Sequence, residues 1–176
     1  NWKIAFDVNL ESYHVDYLHR DTLSNLVLHN PIYDSFGKHA RWGFPTTGTE
    51  KVVDLPEEHW PPTMPVSIIH TLFPSVVLLE TPVSCQMFRV YPGRNVNECT
   101  VDLTEASLKP IANEEDRDAR KRGADFAALV VGTEDFPAAE QCQRGAEIGL
   151  TNFNFGSNEP MLQHWHRTWQ HALDNA

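Results

Sequence analysis

A chain of 176 residues, 41% of them hydrophobic, fits one domain of ordinary size with enough apolar side chains for a substantial core. Its formal charge of −10 argues against a nucleic-acid partner, since phosphate binding needs a basic surface, and no apolar run approaches the roughly 20 residues that span a bilayer. Cys85, Cys99 and Cys142 are odd in number and never in a C-x-x-C arrangement, so neither a disulfide framework nor a structural zinc site is expected. With no signal peptide visible, the expected setting is reducing and cytoplasmic.

The first predicted element is helical and carries the most chemistry. Glu11-Ser12-Tyr13-His14-Val15-Asp16-Tyr17-Leu18-His19 packs two histidines, two carboxylates and two tyrosines into nine residues, which suits neither an apolar core nor surface filler. It reads as half of a metal site. Two neutral imidazoles and one carboxylate form a ligand set suited to ferrous iron, with positions left open for oxygen. The spacing restricts the geometry, because residues five apart point about 140° away from each other on a regular helix. The pair therefore differs from the H-E-x-x-H of zinc proteases, whose histidines lie four apart on one face, and Val15 stands where that motif has its glutamate. For both histidines to hold one metal, the helix must bulge or His14 must sit near its start. Chance pairing among nine histidines is the competing reading of the spacing alone. Tyr13 and Tyr17 are left out of the catalytic set, because buried tyrosines usually need only a hydrogen-bond partner.

The middle of the chain is rich in β-branched residues. Val66–Leu72, Val76–Leu79, Val83–Val90 and Cys99–Leu103 read as strands, separated by Phe73-Pro74-Ser75, Thr81-Pro82 and Pro92-Gly93-Arg94-Asn95. Connections this short favour antiparallel pairing. Asn113, followed by Glu114, Glu115 and Asp116 and then Arg117, Arg120, Lys121 and Arg122, predicts a solvated helix with negative charge at its start and positive charge toward its end. In the stretch from Val131 to Gly145, Asp135 is either a metal ligand or, with Glu134, a first-turn acid of a helix capped by Thr133, and the residues alone leave both readings open. From about Asn158, Leu162, Trp165, Trp169, Ala172 and Leu173 form an apolar stripe of a last helix, with His164, His166 and His171 as surface or packing residues. The fold class that follows is α+β, an antiparallel β-sheet wrapped around a long C-terminal helix, the helix-grip or START-like architecture. Such a fold encloses a cavity for a mostly apolar ligand, with Phe73, Leu79, Phe88 and Phe153 as candidates for its lining.

Asn1-Trp2-Lys3, the acid Asp7 and Glu11-x-Tyr13-His14-x-x-x-x-His19 together resemble the start of the catalytic domain in the alpha subunit of Rieske non-haem iron ring-hydroxylating oxygenases. The stretch from Val131 to Gly145, with its closing Gln143-Arg144-Gly145, resembles the part of that family that carries the third ligand. The resemblance implies His14, His19 and Asp135 as ligands of a mononuclear Fe(II), with Glu134 the fallback for Asp135. It implies that Glu11 bridges, for electron transfer, to the Rieske cluster of a neighbouring subunit, a role compatible with orienting the imidazole of His14. Val8 stands where many members have an asparagine, so no role near the iron is carried to it. A Rieske [2Fe-2S] cluster needs two cysteines and two histidines, which the family supplies from C-x-H and C-x-x-H motifs ahead of the catalytic domain. Neither motif occurs here, so residues 1–176 are expected to be the mononuclear iron catalytic domain, with the Rieske domain absent from this chain.

By resemblance the function is that of an oxygenase catalytic domain that activates O₂ at Fe(II) to hydroxylate or dihydroxylate a small apolar or aromatic substrate. Electrons are expected from NAD(P)H through a reductase, and in some cases a ferredoxin, to the Rieske cluster. A ring of three alpha subunits, with or without a beta subunit, is implied. The alternatives are a monooxygenase or oxidative demethylase of a quaternary ammonium or methoxy/N-methyl compound, and a metal-free START-like module that binds a hydrophobic ligand. Zinc on the same three ligands, in a hydrolase, is a further one, because zinc outcompetes ferrous iron at most nitrogen and oxygen sites.

Overall fold

The computed structural model describes residues 1–28, 31–82, 84–149 and 152–176. Six strands form one antiparallel sheet in the order β1-β2-β3-β4-β5-β6: Ile32–Phe36, His39–Pro45, Val66–Leu72, Val76–Glu80, Ser84–Pro92 and Cys99–Ser107. The expected antiparallel α+β arrangement is present, with the four expected strands at β3 to β6. Val83, taken as the start of the third of them, lies outside the described residues.

Two strands escaped the sequence reading. β1 and β2 form a hairpin whose two-residue turn is Gly37-Lys38, and Gly37 has φ 59°, the conformation a type II′ turn needs at its first central position. The alternation Ala40, Trp42, Phe44 was the available signal for β2, with Ala40 and Trp42 buried.

The register aligns an inward row across the sheet. Tyr33 pairs with Trp42, Trp42 with Ile69, Ile69 with Leu79, Leu79 with Gln86, and Gln86 with Glu105. Helices cover this face. α1 (Trp2–Asp7) is capped by the Asn1 side chain, which accepts from the Lys3 N–H at 2.9 Å, and buries Ala5 and Phe6. α6 (Pro160–Asp174) packs on β1 and β2. Its apolar stripe is real in its first half, where Met161, Leu162 and Trp165 are buried, and fades at Leu173, which is exposed. Trp165 stacks on Phe6 with ring centroids 4.7 Å apart, meets Trp2 edge-on at 6.0 Å, and donates its indole N–H to the Pro74 carbonyl at 3.3 Å. The three histidines of α6 behave as expected: His166 pairs with Asp7, His164 lies against Tyr33, and His171 is exposed beside Asn175.

The short helix α2 (Tyr13–Tyr17) lies between α1 and β1 in the chain, and α3 (Glu50–Val53) between β2 and β3. α4 (Glu114–Val130) starts as expected, with Asn113 accepting from the Asp116 N–H at 2.8 Å. It does not stop after the basic residues. It runs through a π-helical segment, Val131–Asp135, into α5 (Phe136–Glu147), so the longest helical run is this one and not the C-terminal helix. No helix among the described residues is long and apolar enough to cross a membrane. Cys85, Cys99 and Cys142 are free.

Candidate metal centre

His14 is the second residue of α2, and Glu11 supplies that helix with its missing cap. One Glu11 oxygen accepts the backbone N–H groups of Tyr13 at 2.6 Å and His14 at 3.2 Å, and the other holds Nδ1 of the His14 ring. The helix then ends early. The His14 carbonyl accepts from Leu18 at 2.6 Å and from His19 at 3.4 Å, an i to i+5 closure. That wider turn, with His14 near the helix start, brings back a pair that a regular helix would point apart. The two rings end 5.0 Å from each other. The His19 carbonyl in turn accepts the N–H groups of Thr22, Leu23 and Ser24, which fixes the chain just beyond it.

Asp135 and Glu134 arrive from the π segment. Sequence reasoning allowed Thr133 to cap a new helix here, and the structure corrects this, because Thr133 Oγ1 donates back to the Leu129 carbonyl at 2.8 Å inside a continuous helix. The π segment turns the two adjacent acids toward different atoms of one imidazole. Asp135 Oδ1 lies 3.2 Å from His19 Nε2 and 3.7 Å from His14 Nε2, while Glu134 Oε2 lies 2.5 Å from His19 Nδ1 and accepts from Thr22 Oγ1 at 2.8 Å. His19 and Asp135 are buried and His14 is half-buried.

Ligand atoms of His14, His19 and Asp135 all lie within 4.8 Å of one another. Neighbouring donors bound about 2.1 Å from one ion in octahedral geometry are separated by about 3 Å, so this set fits a divalent cation with little adjustment. Each imidazole is also held on its far nitrogen by a carboxylate, the arrangement that fixes the tautomer of metal-binding histidines. Burial alone would raise the carboxyls of Glu11 and Glu134, yet both lie below their ordinary range, because the His14 ring and backbone N–H groups bond to one and His19 and Thr22 to the other. For His19, burial disfavours the charged ring, but the bonds to Asp135 and Glu134 outweigh it and push the imidazole up.

The family model for the catalytic domain of the ring-hydroxylating alpha subunit matches residues 1–175. The chain belongs to this ring-hydroxylating family. No curated protein sequence matches it. Solved structures of a quaternary ammonium Rieske monooxygenase are similar in fold. One, described for its insights into carnitine oxidation by gut microbiota and inter-subunit electron transfer, is 15% identical with a TM-score of 0.68, covering 98% of this chain and 46% of that one. Another, the monooxygenase CntA with L-carnitine, is 14% identical with a TM-score of 0.66, covering 98% and 44%. A third, CntA with an inhibitor, is 15% identical with a TM-score of 0.61, covering 84% and 36%. The chain thus spans less than half the length of each of these structures.

In this chain the converging side chains of His14, His19 and Asp135 open onto a cavity of about 250 Å³ between the sheet and α4. Leu79 and Phe88, two of the expected lining residues, do line it, together with Trp42, Phe44 and Phe126, which sequence reasoning did not single out. The other two do not. Phe73 packs on Trp169 with ring centroids 4.8 Å apart, and Phe153 is 64% exposed. Val8 forms part of the wall near the donors. Tyr13 and Tyr17 are exposed. Gln143, in the closing Gln-Arg-Gly, donates to Asn97 at 2.9 Å and so ties α5 to the turn between β5 and β6, away from the donors. The signal for Glu134 was present in the sequence as the acid beside Asp135, but its part in holding His19 depends on the π segment.

Proposed function

We propose that this chain is the mononuclear-iron domain of a Rieske-type oxygenase alpha subunit, with His14, His19 and Asp135 holding Fe(II). The observation that carries this reading is the convergence of the two Nε2 atoms and Asp135 Oδ1 beside an apolar cavity, with both Nδ1 atoms engaged by carboxylates. Fe(II) on such a set keeps open positions at which O₂ is activated. Asp135 supplies the compensating charge, Glu11 and Glu134 fix the ring orientations, and the cavity holds the substrate out of bulk water beside the donors.

Family membership supports a wider assembly. Glu11 is assigned the electron bridge to the Rieske [2Fe-2S] cluster of a neighbouring subunit, in a domain outside these residues. Electrons derive from NAD(P)H through a reductase, with or without a ferredoxin, and the alpha subunits form a trimer, with or without a beta subunit. An apolar cavity of about 250 Å³ suits an aromatic substrate, since a cavity of roughly 150 Å³ takes one benzene. Hydroxylation or dihydroxylation of an aromatic ring is therefore the reaction assigned. Oxidative demethylation of a quaternary ammonium compound is the second reading, supported by the aromatic faces of Trp42, Phe44, Phe88 and Phe126 in the wall, which also suit a cation. A metal-free binding module has no use for three converging donors with a carboxylate behind each ring.

Metal analysis tests the assignment. The purified chain should take up one Fe(II) per molecule, and His14→Ala, His19→Ala and Asp135→Ala should each lose it while remaining folded by circular dichroism. Unchanged iron in Asp135→Ala would overturn the ligand set.

A further inference from the structure

The polar groups of the cavity fall into two sets. One surrounds the metal donors. The other is Thr81 and Gln86, on the sheet wall. The cavity extends well away from the donors along α4, because Gly123, which also lines it, lies 12 residues before Asp135 in one continuous helix, about 18 Å at 1.5 Å per residue. β5 gives the same direction. Phe88 and Val90 share a small hollow with Asp135, and Gln86 is the next inward position away from it, about 7 Å farther along the strand.

Thr81 is already engaged, accepting the Ser84 N–H at 3.0 Å. Gln86 is not, since no hydrogen bond ties its amide to any other described residue. It shares the inward row with Trp42, Ile69 and Leu79, so a polar amide stands in a wall otherwise built from apolar side chains. Its cross-strand partner Glu105 is not among the residues that line the cavity, so the Gln86 amide is the unengaged polar group on this part of the wall. An amide left unpaired in an apolar wall is costly, so a ligand that pairs it is favoured over one that does not.

We propose that the Gln86 amide forms a polar subsite in the cavity wall, away from the metal donors, which holds a neutral hydrogen-bonding substituent of an otherwise apolar substrate of roughly two rings. The size follows from the cavity volume, about 250 Å³ against the roughly 150 Å³ that takes one benzene. A neutral substituent is expected, because a charge buried in an apolar cavity without a partner is costly. The inference rests on the oxygenase reading only in taking the cavity as the substrate pocket. Gln86 is a specificity-determining residue in it, placing the apolar end of the substrate at the metal donors.

Binding of three probes to the chain, followed by intrinsic tryptophan fluorescence and checked by calorimetry, tests this without any turnover. The probes are diphenylmethane, 4-benzylphenol and 4-benzylbenzoate. The phenol should bind roughly three- to tenfold tighter than the hydrocarbon, the span expected of one hydrogen bond, and the benzoate should bind weakest. Gln86→Leu should abolish the preference for the phenol while keeping diphenylmethane affinity. Gly123→Leu, at a cavity-lining glycine where an added Cβ meets nothing within 4 Å, should weaken all three probes and leave the melting temperature unchanged or higher. His14→Ala, which removes a proposed iron ligand, should leave the phenol preference intact, so failure of the iron reading and failure of the subsite are separable. Equal binding of phenol and hydrocarbon, an undiminished preference in Gln86→Leu, or no binding of any probe would overturn the proposal.

Discussion

The aromatic cluster around Trp165 and the donor cluster around His19 sit on the same face of one sheet, yet they are built in opposite ways. In the first, regular helices α1 and α6 bring Trp2, Phe6, Trp165 and Trp169 together, with ring centroids 4.7 to 6.0 Å apart. The Trp165 indole N–H has its partner. In the second, backbone irregularity does the positioning: an i to i+5 closure at His19 and a π segment at Asp135 aim side chains that regular helices would point elsewhere. Stability comes from the regular cluster and chemistry from the irregular one, which is where π-bulges recur. The two should therefore respond differently to substitution.

The largest effect on stability is expected at Trp165. It is 2% exposed and joins α6 to α1 and to the β3–β4 turn, so Trp165→Ala should cost about 3–5 kcal/mol. Denaturant melts should show that loss, while iron affinity of the fraction that remains folded stays near the parent value. A fall in both by comparable factors would show that the two clusters are one cooperative unit, and the comparison above would fail.

A smaller and opposite pattern is expected at Glu134. Its carboxylate meets His19 Nδ1 at 2.5 Å and never reaches Nε2, so its work is to hold the ring. Glu134→Ala should weaken Fe(II) binding about 10- to 100-fold, the usual range for a group behind a metal-bound histidine, with little change in the metal-free melting temperature. Loss of iron as complete as in Asp135→Ala would instead make Glu134 a ligand, the fallback role that the sequence alone allowed.

The same division explains what could be read in advance. Strands β3 to β6 and α6 were legible because β-branched runs and the Leu162–Trp165–Trp169 stripe are periodic signals, and burial follows period. The β1–β2 hairpin was missed because its strands are short and one contains Gly43 and Pro45, which weaken a strand pattern despite the inward Trp42 and Phe44. The family resemblance pointed to His14, His19 and Asp135, and the structure brings these three side chains together. The π segment was not, because Val131-Gly132-Thr133-Glu134-Asp135-Phe136-Pro137 has the look of a helix start, with a capping hydroxyl and a proline in the first turn, when α4 in fact runs straight through. Nothing local distinguishes the two, and the long-range contacts to His19 and Thr22 decide.

The smallest effect, and the one that separates the two clusters most finely, is on pH dependence. The side chains of Trp2, Phe6, Trp165 and Trp169 carry no titratable group, whereas the donor cluster has three groups shifted from their ordinary values. His19 lies above its ordinary 6.5 in the metal-free protein, so its contribution to stability is fully present below that value and is lost as pH rises through the raised one. Glu11 and Glu134 lie below their ordinary 4.5, so their contributions are present above that value and are lost as pH falls through the lowered ones. Together they predict that the metal-free protein is most stable, as far as this cluster decides, between about 4.5 and about 6.5, and declines toward pH 8.5. Iron should invert the upper slope. Binding must displace the proton that Asp135 and Glu134 hold on His19, so affinity should rise with pH, by up to about tenfold per unit, until the raised value is passed. Melting temperatures at pH 5.5, 7 and 8.5, with and without Fe(II), against His19→Asn to remove the contribution of the other histidines, would measure both slopes. A metal-free decline of the same size in His19→Asn would place the titration elsewhere, and an iron affinity independent of pH would mean that His19 carries no proton for the metal to displace.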